Sequence, residues 1–559
     1  MIYVHIKKEL AKFETDIRDL CLAFFPLQNL NLGTGYIIDK KGTPFENDII
    51  VKDYYNGPLT GDRLAIKSEL KRQLYNHLSK LTGKTLLWGT LTGIRPVTIA
   101  TKFFDLNLGT GYIIDKKGTP FENVKNDKFN IKNAVCDELI KKELKKEYYI
   151  SDEKANELIE IAKNEVQILN RDDIKDYKNM YSVYVGVPFC KSTCLYCSFT
   201  SFNIEKFGKY VDDYLKALEK DFATRIEKIR ESENKGCPQI SNNIPRPQIQ
   251  KLQPLTLYIG GGTPTSLDET AFEKMLTIID KYVDRNKCVE YTVEAGRPDT
   301  ITKEKLLIMK KHGVTRISIN PQTFNQKTLD LIGRKHTVKD VVEKFKLARS
   351  LGFDNINMDI ILGLPNEHLF QVLKTLNGIR KLKPDSFTVH SLALKRAARL
   401  NFELDSWTKN YYLAGLGNRM MANKNGARTA RPYENTRTAR PCENTHTYDI
   451  GAKCHIPEGK REIDKMFKWS RRLADFLHLQ PYYLYRQKNM AGNLENVGYA
   501  KLGKECVYNI MMMSERHTVY GFGTATTKKV FYENDGSKRI ESEEGYKSVI
   551  DYCKSFETI

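Results

Sequence analysis

The sequence predicts an α/β protein. At its centre is a parallel sheet of six β-α units that curls into a barrel or partial barrel, with an N-terminal α+β region before it and a mainly helical C-terminal region after it. Three observations predict this. Between residues 176 and 400, short apolar runs alternate with helical patterns six times; the runs are 181–187, 255–259, 289–293, 316–319, 356–362 and 387–392. The residues able to carry chemistry follow these runs in order: three cysteines, GGGTPT, Glu294, Gln322, Asp359 and Ala393. Barrels of this build keep their sites at the C-terminal ends of the strands. Finally, 559 residues with 41% hydrophobic content suffice for two or three domains. The expected boundaries are 1–175 for an accessory domain, 176–400 for the barrel and 401–559 for a substrate-covering domain.

The N-terminal region opens on a strand at 1–6. A helix is expected over 65–81, where Ile66, Leu70, Leu74, Leu78 and Leu81 recur at helical spacing and Gly83 stops the run. WGTLTGIRPVTIA follows at 88–100, and its Arg95 suits an anion or, more commonly, a structural clamp. Ser151 caps a further helix with Leu158, Ile161, Ala162, Val166 and Leu169 on one face. The segment NLGTGYIIDKKGTPFEN occurs twice, at 31–47 and 107–123. A solenoid needs three repeats, so both copies are expected to be hairpin-like loops without a catalytic role.

Within the barrel, a helix is expected over 207–229. Another starts at a Thr337 cap, with Asp340 closing a capping box, and runs towards Gly352. Residues 231–253 read as a loop insertion, with Cys237 a bystander. RTARPYENT and RTARPCENT stand in tandem at 428–445, a low-complexity insertion spanning 426–446. YYLYRQKNMAGNLENVGYA, at 482–500, is dense in aromatic and amide groups that suit either a flat ring system or core packing.

Lys and Arg outnumber Asp and Glu 89 to 69, a net charge of +20. The lysines are spread along helices and loops, and no nucleic-acid-binding motif accompanies them. A solvated basic surface follows, and no nucleic-acid partner is expected. A small substrate bearing several carboxylates would suit the same field. Eleven cysteines without a secretion signal do not form a disulfide framework. No apolar run approaches bilayer length, and the N-terminus turns charged at Lys7. The expectation is a cytoplasmic protein with no membrane span.

The organising stretch is YSVYVGVPFCKSTCLYCSFT, at 181–200. A β-prone run ends at Pro188, and Cys190, Cys194 and Cys197 follow with C-x3-C-x2-C spacing. Soft thiolates gathered in one loop select iron–sulfur centres or zinc. Structural zinc wants four ligands, and no fourth Cys or His lies in the loop. A cubane of four irons held by three thiolates leaves one iron open. Three buried free thiols are the bland alternative.

A strand followed by CxxxCxxC resembles the signature of radical S-adenosylmethionine (SAM) enzymes. YVGVPFCKSTCLYCSFTS is similar to the oxygen-independent coproporphyrinogen III oxidase group, and most to its HemZ-type branch. The resemblance implies a radical SAM partial barrel in which Cys190, Cys194 and Cys197 hold a [4Fe–4S] cluster and SAM docks at the open iron. It implies SAM contacts from Tyr184, Gly261, Gly262, Thr263, Glu294, Gln322, Arg334 and Asp359, and from the backbone of Ala393. Read without the resemblance, Tyr184 is a core aromatic, and Glu294 needs a donor such as Arg297. The match runs without gaps from Thr263 to Ala393. It extends to the ends through WGTLTGIRP and RQKNMAGNLENVGYA.

The implied activity is oxidative decarboxylation of coproporphyrinogen III, a tetracarboxylate, to protoporphyrinogen IX. The electron would come from a low-potential donor such as flavodoxin or ferredoxin. One position departs from the pattern. Oxidases of the family carry a further cysteine two residues after the third, where this chain has Phe199. The related heme chaperones share that absence, so a heme-binding protein on the same scaffold is the alternative.

Overall fold

The computed structural model describes residues 2–25, 30–33, 49–93, 95–105, 129–197, 199–235, 253–393, 398–400, 459–486, 495–534 and 537–557. The second copy of the 17-residue segment, most of the first, Cys237 and the 426–446 insertion lie outside the described residues.

At the N-terminus, β1 (Ile2–His5) lies between β2 (Leu30–Gly33) and β3 (Ile49–Val51), parallel to both. Two helices cover it, Glu14–Phe24 and Arg63–Thr82. The second begins where the Asp62 carboxylate accepts the N–H groups of Leu64 and Ala65. It ends where Gly83 turns left-handed at φ 65°. Phe13, Ile17, Phe24, Leu70 and Leu74 close a core of their own. The next stretch belongs elsewhere: Trp88, Ala100, Leu158 and Ala162 join the core of the central sheet. The first 175 residues thus divide between two cores.

Among the described residues the central sheet has eleven strands. Six of them are the expected series: β4 (Met180–Val187), β7 (Gln253–Gly261), β8 (Glu290–Glu294), β9 (Arg316–Ser318), β10 (Ile356–Leu362) and β11 (Ser386–Ser391). They pair in sequence order, all parallel. Two short strands, β5 (Phe189–Cys190) and β6 (Phe202–Asn203), pair beside them. The expected Thr337–Asp340 capping box opens the helix Val338–Ser350.

The C-terminal region differs from the mainly helical expectation. Besides the helices Gly459–Phe476, Val507–Ser514 and Val549–Glu557, it supplies β12 (Gln480–Tyr485), β13 (Asn496–Ala500), β14 (Thr518–Gly523), β15 (Thr527–Asn534) and β16 (Ser537–Glu544). The physical reason is the pair of open edges on the six-stranded unit, whose unpaired N–H and C=O groups need partners. β14 adds parallel to β4, and β13 adds antiparallel to β11.

The helix Val507–Ser514 packs against β7 and β12. Glu290, the first residue of β8, accepts the Val507 N–H at 2.6 Å. Tyr508 stacks on both Tyr184 and Tyr258. Among the described residues, no helix is long and apolar enough to cross a membrane.

Candidate functional site

The cysteine loop leaves β4 and is pinned on both sides. Cys190 sits in β5, and the N–H of Leu195 bonds to the Ile332 carbonyl at 2.9 Å. GGGTPT, at the end of β7, lies against it. Gly262 N–H donates to the Val187 carbonyl and Thr263 N–H to the Phe189 carbonyl, both at 2.7 Å. A Cβ on Gly262 would stand 2.5 Å from the Phe189 oxygen, and Gly261 holds φ +102°. The N–H groups of residues 262 and 263 are spent on the neighbouring loop, and the missing side chains let the two backbones touch.

Each sulfur in the loop has a donor. The Thr263 hydroxyl lies 3.1 Å from Cys190 Sγ, the Arg297 guanidinium reaches Cys194 Sγ at 3.9 Å, and the Phe199 backbone N–H bonds to Cys197. Burial raises the Cys190 thiol, with the Thr263 hydrogen bond opposing. Burial, with Cys194 nearby, pushes Cys197 up to about 11. All three are free thiols.

Around this loop the other expected residues form one connected set. Arg334, buried, donates to the Gly296 carbonyl at 2.9 Å and to Tyr196 Oη at 3.0 Å. Its Nε meets no partner among the described residues. Gln322 adopts φ +61°, bridges to Ile360 of β10, and its buried Oε1 has no partner among the described residues. Such a strained, unsatisfied side chain is a cost that points to a ligand. Asn320 Nδ2 donates to Asp359 Oδ2 at 2.8 Å. Ala393 follows β11, where the Leu392 N–H bonds to the Leu362 carbonyl.

Glu294 and Asp359 are neighbours with opposite tendencies. Burial lifts Glu294 to about 7, against the pull of its hydrogen bond from Tyr258, and the Asp359 charge adds to the rise. For Asp359, burial acts upward too, but the hydrogen bond and charge of His390, with Asn357 and Thr388, hold it below the ordinary aspartate range. Glu294 therefore holds its proton to higher pH than Asp359 does.

Arg297 does not pair with Glu294. Tyr258 Oη is the donor, at 2.6 Å. The residue readings of the sequence also passed over Tyr258, Asn320 and His390. A signal existed for Tyr258: it is the direct cross-strand partner of Tyr184 and lies two residues before Gly260, on the same face.

The radical SAM superfamily model matches residues 184–378. The oxygen-independent coproporphyrinogen-III oxidase-like protein HemZ of Bacillus subtilis (strain 168) is 33% identical over 474 residues, covering 85% of this chain and 75% of HemZ. The chain belongs to the radical SAM superfamily, in its HemZ-type branch. Heme chaperone HemW of the same organism is 36% identical over 217 residues, covering 39% of this chain and 51% of HemW. Among solved structures, coproporphyrinogen III oxidase (HemN) of Escherichia coli is similar at a TM-score of 0.46 and 16% identity, over 70% of this chain and 72% of that one.

The cofactors of the radical SAM superfamily are a [4Fe–4S] cluster and SAM. The residues fit them. Among the described residues, no three His, Cys, Asp or Glu side chains converge on the position of a single ion. A cubane does not ask for that, because its corner irons spread the thiolates apart. Three mutually close free thiols, each with a donor, suit a cluster better than a lone zinc. The unpartnered Arg334 Nε and Gln322 Oε1 are polar atoms that a zwitterionic ligand would satisfy.

Proposed function

We propose that this HemZ-type protein oxidatively decarboxylates coproporphyrinogen III to protoporphyrinogen IX without oxygen. The observation that carries the proposal is the extent of similarity. HemZ matches 85% of the chain, including both flanking regions, whereas the heme chaperone matches 39%. A flanking region that covers the barrel mouth would select the substrate.

Bound together, the cluster and SAM supply one-electron cleavage of a sulfonium and hydrogen-atom abstraction from carbon. In the overall change each reacting propionate gives up a hydrogen atom to the SAM-derived radical, CO2, and one electron to an external one-electron acceptor, and a vinyl group remains. Cys190, Cys194 and Cys197 hold the cluster. Gly261, Gly262 and Thr263 seat the methionyl end of SAM, which packs against their backbone. Arg334 and Gln322 close their unsatisfied atoms on it. Glu294 receives an amine or ribose hydroxyl beside Tyr184 and Tyr258, and Asp359 and Ala393 border the remainder. A low-potential donor such as flavodoxin or ferredoxin supplies the electron, and the cytoplasm is the proposed compartment.

A second reading rests on Phe199, which is 68% exposed at the position of the oxidases' further cysteine. On that reading the scaffold binds and delivers heme. Anaerobic incubation with coproporphyrinogen III, SAM and a reductant separates the two. Protoporphyrinogen IX in the chromatogram supports the oxidase. Stoichiometric heme binding with no porphyrinogen turnover replaces it with the chaperone.

A further inference from the structure

We propose that Arg297 sets the reduction potential of the cluster, acting on the Cys194 sulfur from a buried pair with Asp299. The inference rests on the proposed ligation by Cys190, Cys194 and Cys197. It concerns a residue that the assigned site does not use.

Arg297 is 2% exposed. Its Nη1 donates to the Ser192 carbonyl and hydroxyl, both at 2.8 Å, and stands 3.9 Å from Cys194 Sγ. Nε and Nη2 grip the two oxygens of Asp299 at 3.2 and 3.3 Å. Lys191 lies 3.6 Å beyond, on the same carboxylate. All three guanidinium nitrogens are therefore engaged by the protein. Arg334, the other guanidinium at this loop, has an Nε without a partner among the described residues and suits a ligand instead. Arg297 offers a ligand nothing; what it offers the sulfur is charge.

That charge matters in one direction. Reduction adds an electron and breaks no bond, so the cluster and its thiolates become more negative. A buried cation beside a ligand sulfur stabilises the reduced form more than the oxidised one, and water screens little there. Asp299 opposes the effect and holds the guanidinium in place. The other two sulfurs have uncharged donors, the Thr263 hydroxyl and the Phe199 amide. Arg297 is thus the charged hydrogen-bond donor among the three.

The test is a dye-mediated redox titration of the full chain, reconstituted anaerobically, followed by electron paramagnetic resonance. Iron and sulfide are assayed in parallel. Arg297→Gln is expected to make the cluster harder to reduce by about tenfold, equal to about 59 mV for one electron. Asp299→Asn is expected to move the potential the opposite way, and Arg297→Lys to stay near wild type. These opposed signs are what a merely structural role would not produce. If Arg297→Gln loses its iron, Asp299→Asn decides: a cluster that becomes easier to reduce supports the proposal, and an unchanged or lowered potential overturns it. Unchanged potentials, or shifts of one sign in Arg297→Gln and Asp299→Asn, overturn the proposal. A wild-type chain that takes up no iron instead overturns the ligation on which it stands.

Discussion

Glu294→Gln is expected to stabilise the cofactor-free protein above neutral pH while impairing SAM binding. Burial, with Asp359 beside it, lifts the Glu294 carboxyl from 4.5 to about 7. Below pH 4.5 the carboxyl is protonated both folded and unfolded, and no cost arises. As the pH rises from 4.5 to 7, the unfolded chain ionises first, and folding must retain a proton or bury a charge. At about 1.4 kcal/mol per pH unit, the folded state gives up roughly 3 kcal/mol by pH 7, and the loss persists above it. Glutamine keeps the shape and can still accept from Tyr258, but carries no charge. The assay is urea unfolding of cofactor-free wild type and variant at pH 5 and pH 8. The variant's advantage should grow by a few kcal/mol between the two. An advantage that is absent, or equal at both pH values, refutes the reasoning.

Three further outcomes follow from the same structure. Tyr258→Phe removes the hydrogen bond that favours ionised Glu294, so the pH midpoint of SAM binding, measured by calorimetry, should move upward. Gly262→Ala places a Cβ 2.5 Å from the Phe189 carbonyl. It should cost about 1–3 kcal/mol of stability and displace the Cys190 loop, lowering the iron retained after reconstitution. Glu495 is fully buried, accepts from Trp88 Nε1 at 2.9 Å and pairs with the buried Lys154. Glu495→Ala should destabilise the chain by about 3–5 kcal/mol, read as a lower urea midpoint.

Much of the fold was legible because parallel strands buried on both faces read as continuous apolar runs. Residues 255–259 and 356–362 declared themselves in this way, and Thr337 with Asp340 announced a helix start. The C-terminal strands were harder. Thr518–Gly523 is recognisable as β-prone, but nothing local says that it adds to β4, more than 300 residues earlier in the chain. The grouping of Cys190, Cys194 and Cys197 in one loop was legible from their spacing, and the structure brings them together as free thiols. Arg297 was not, because its partners, Ser192 and Cys194, are distant in sequence, and an arginine beside a glutamate suggests a nearer pairing. WGTLTGIRP and RQKNMAGNLENVGYA looked like unrelated phrases. Folding brings them together, with Trp88 between Glu495, Lys154 and Arg486.

The most direct measurement is made on Cys194→Ala, purified and reconstituted without air beside the wild type. The expected result is a colourless variant that releases no 5′-deoxyadenosine from SAM under reducing conditions, against a brown wild type that does. A variant that keeps the chromophore and still forms 5′-deoxyadenosine would contradict ligation by the three cysteines, and the proposed chemistry would fall with it.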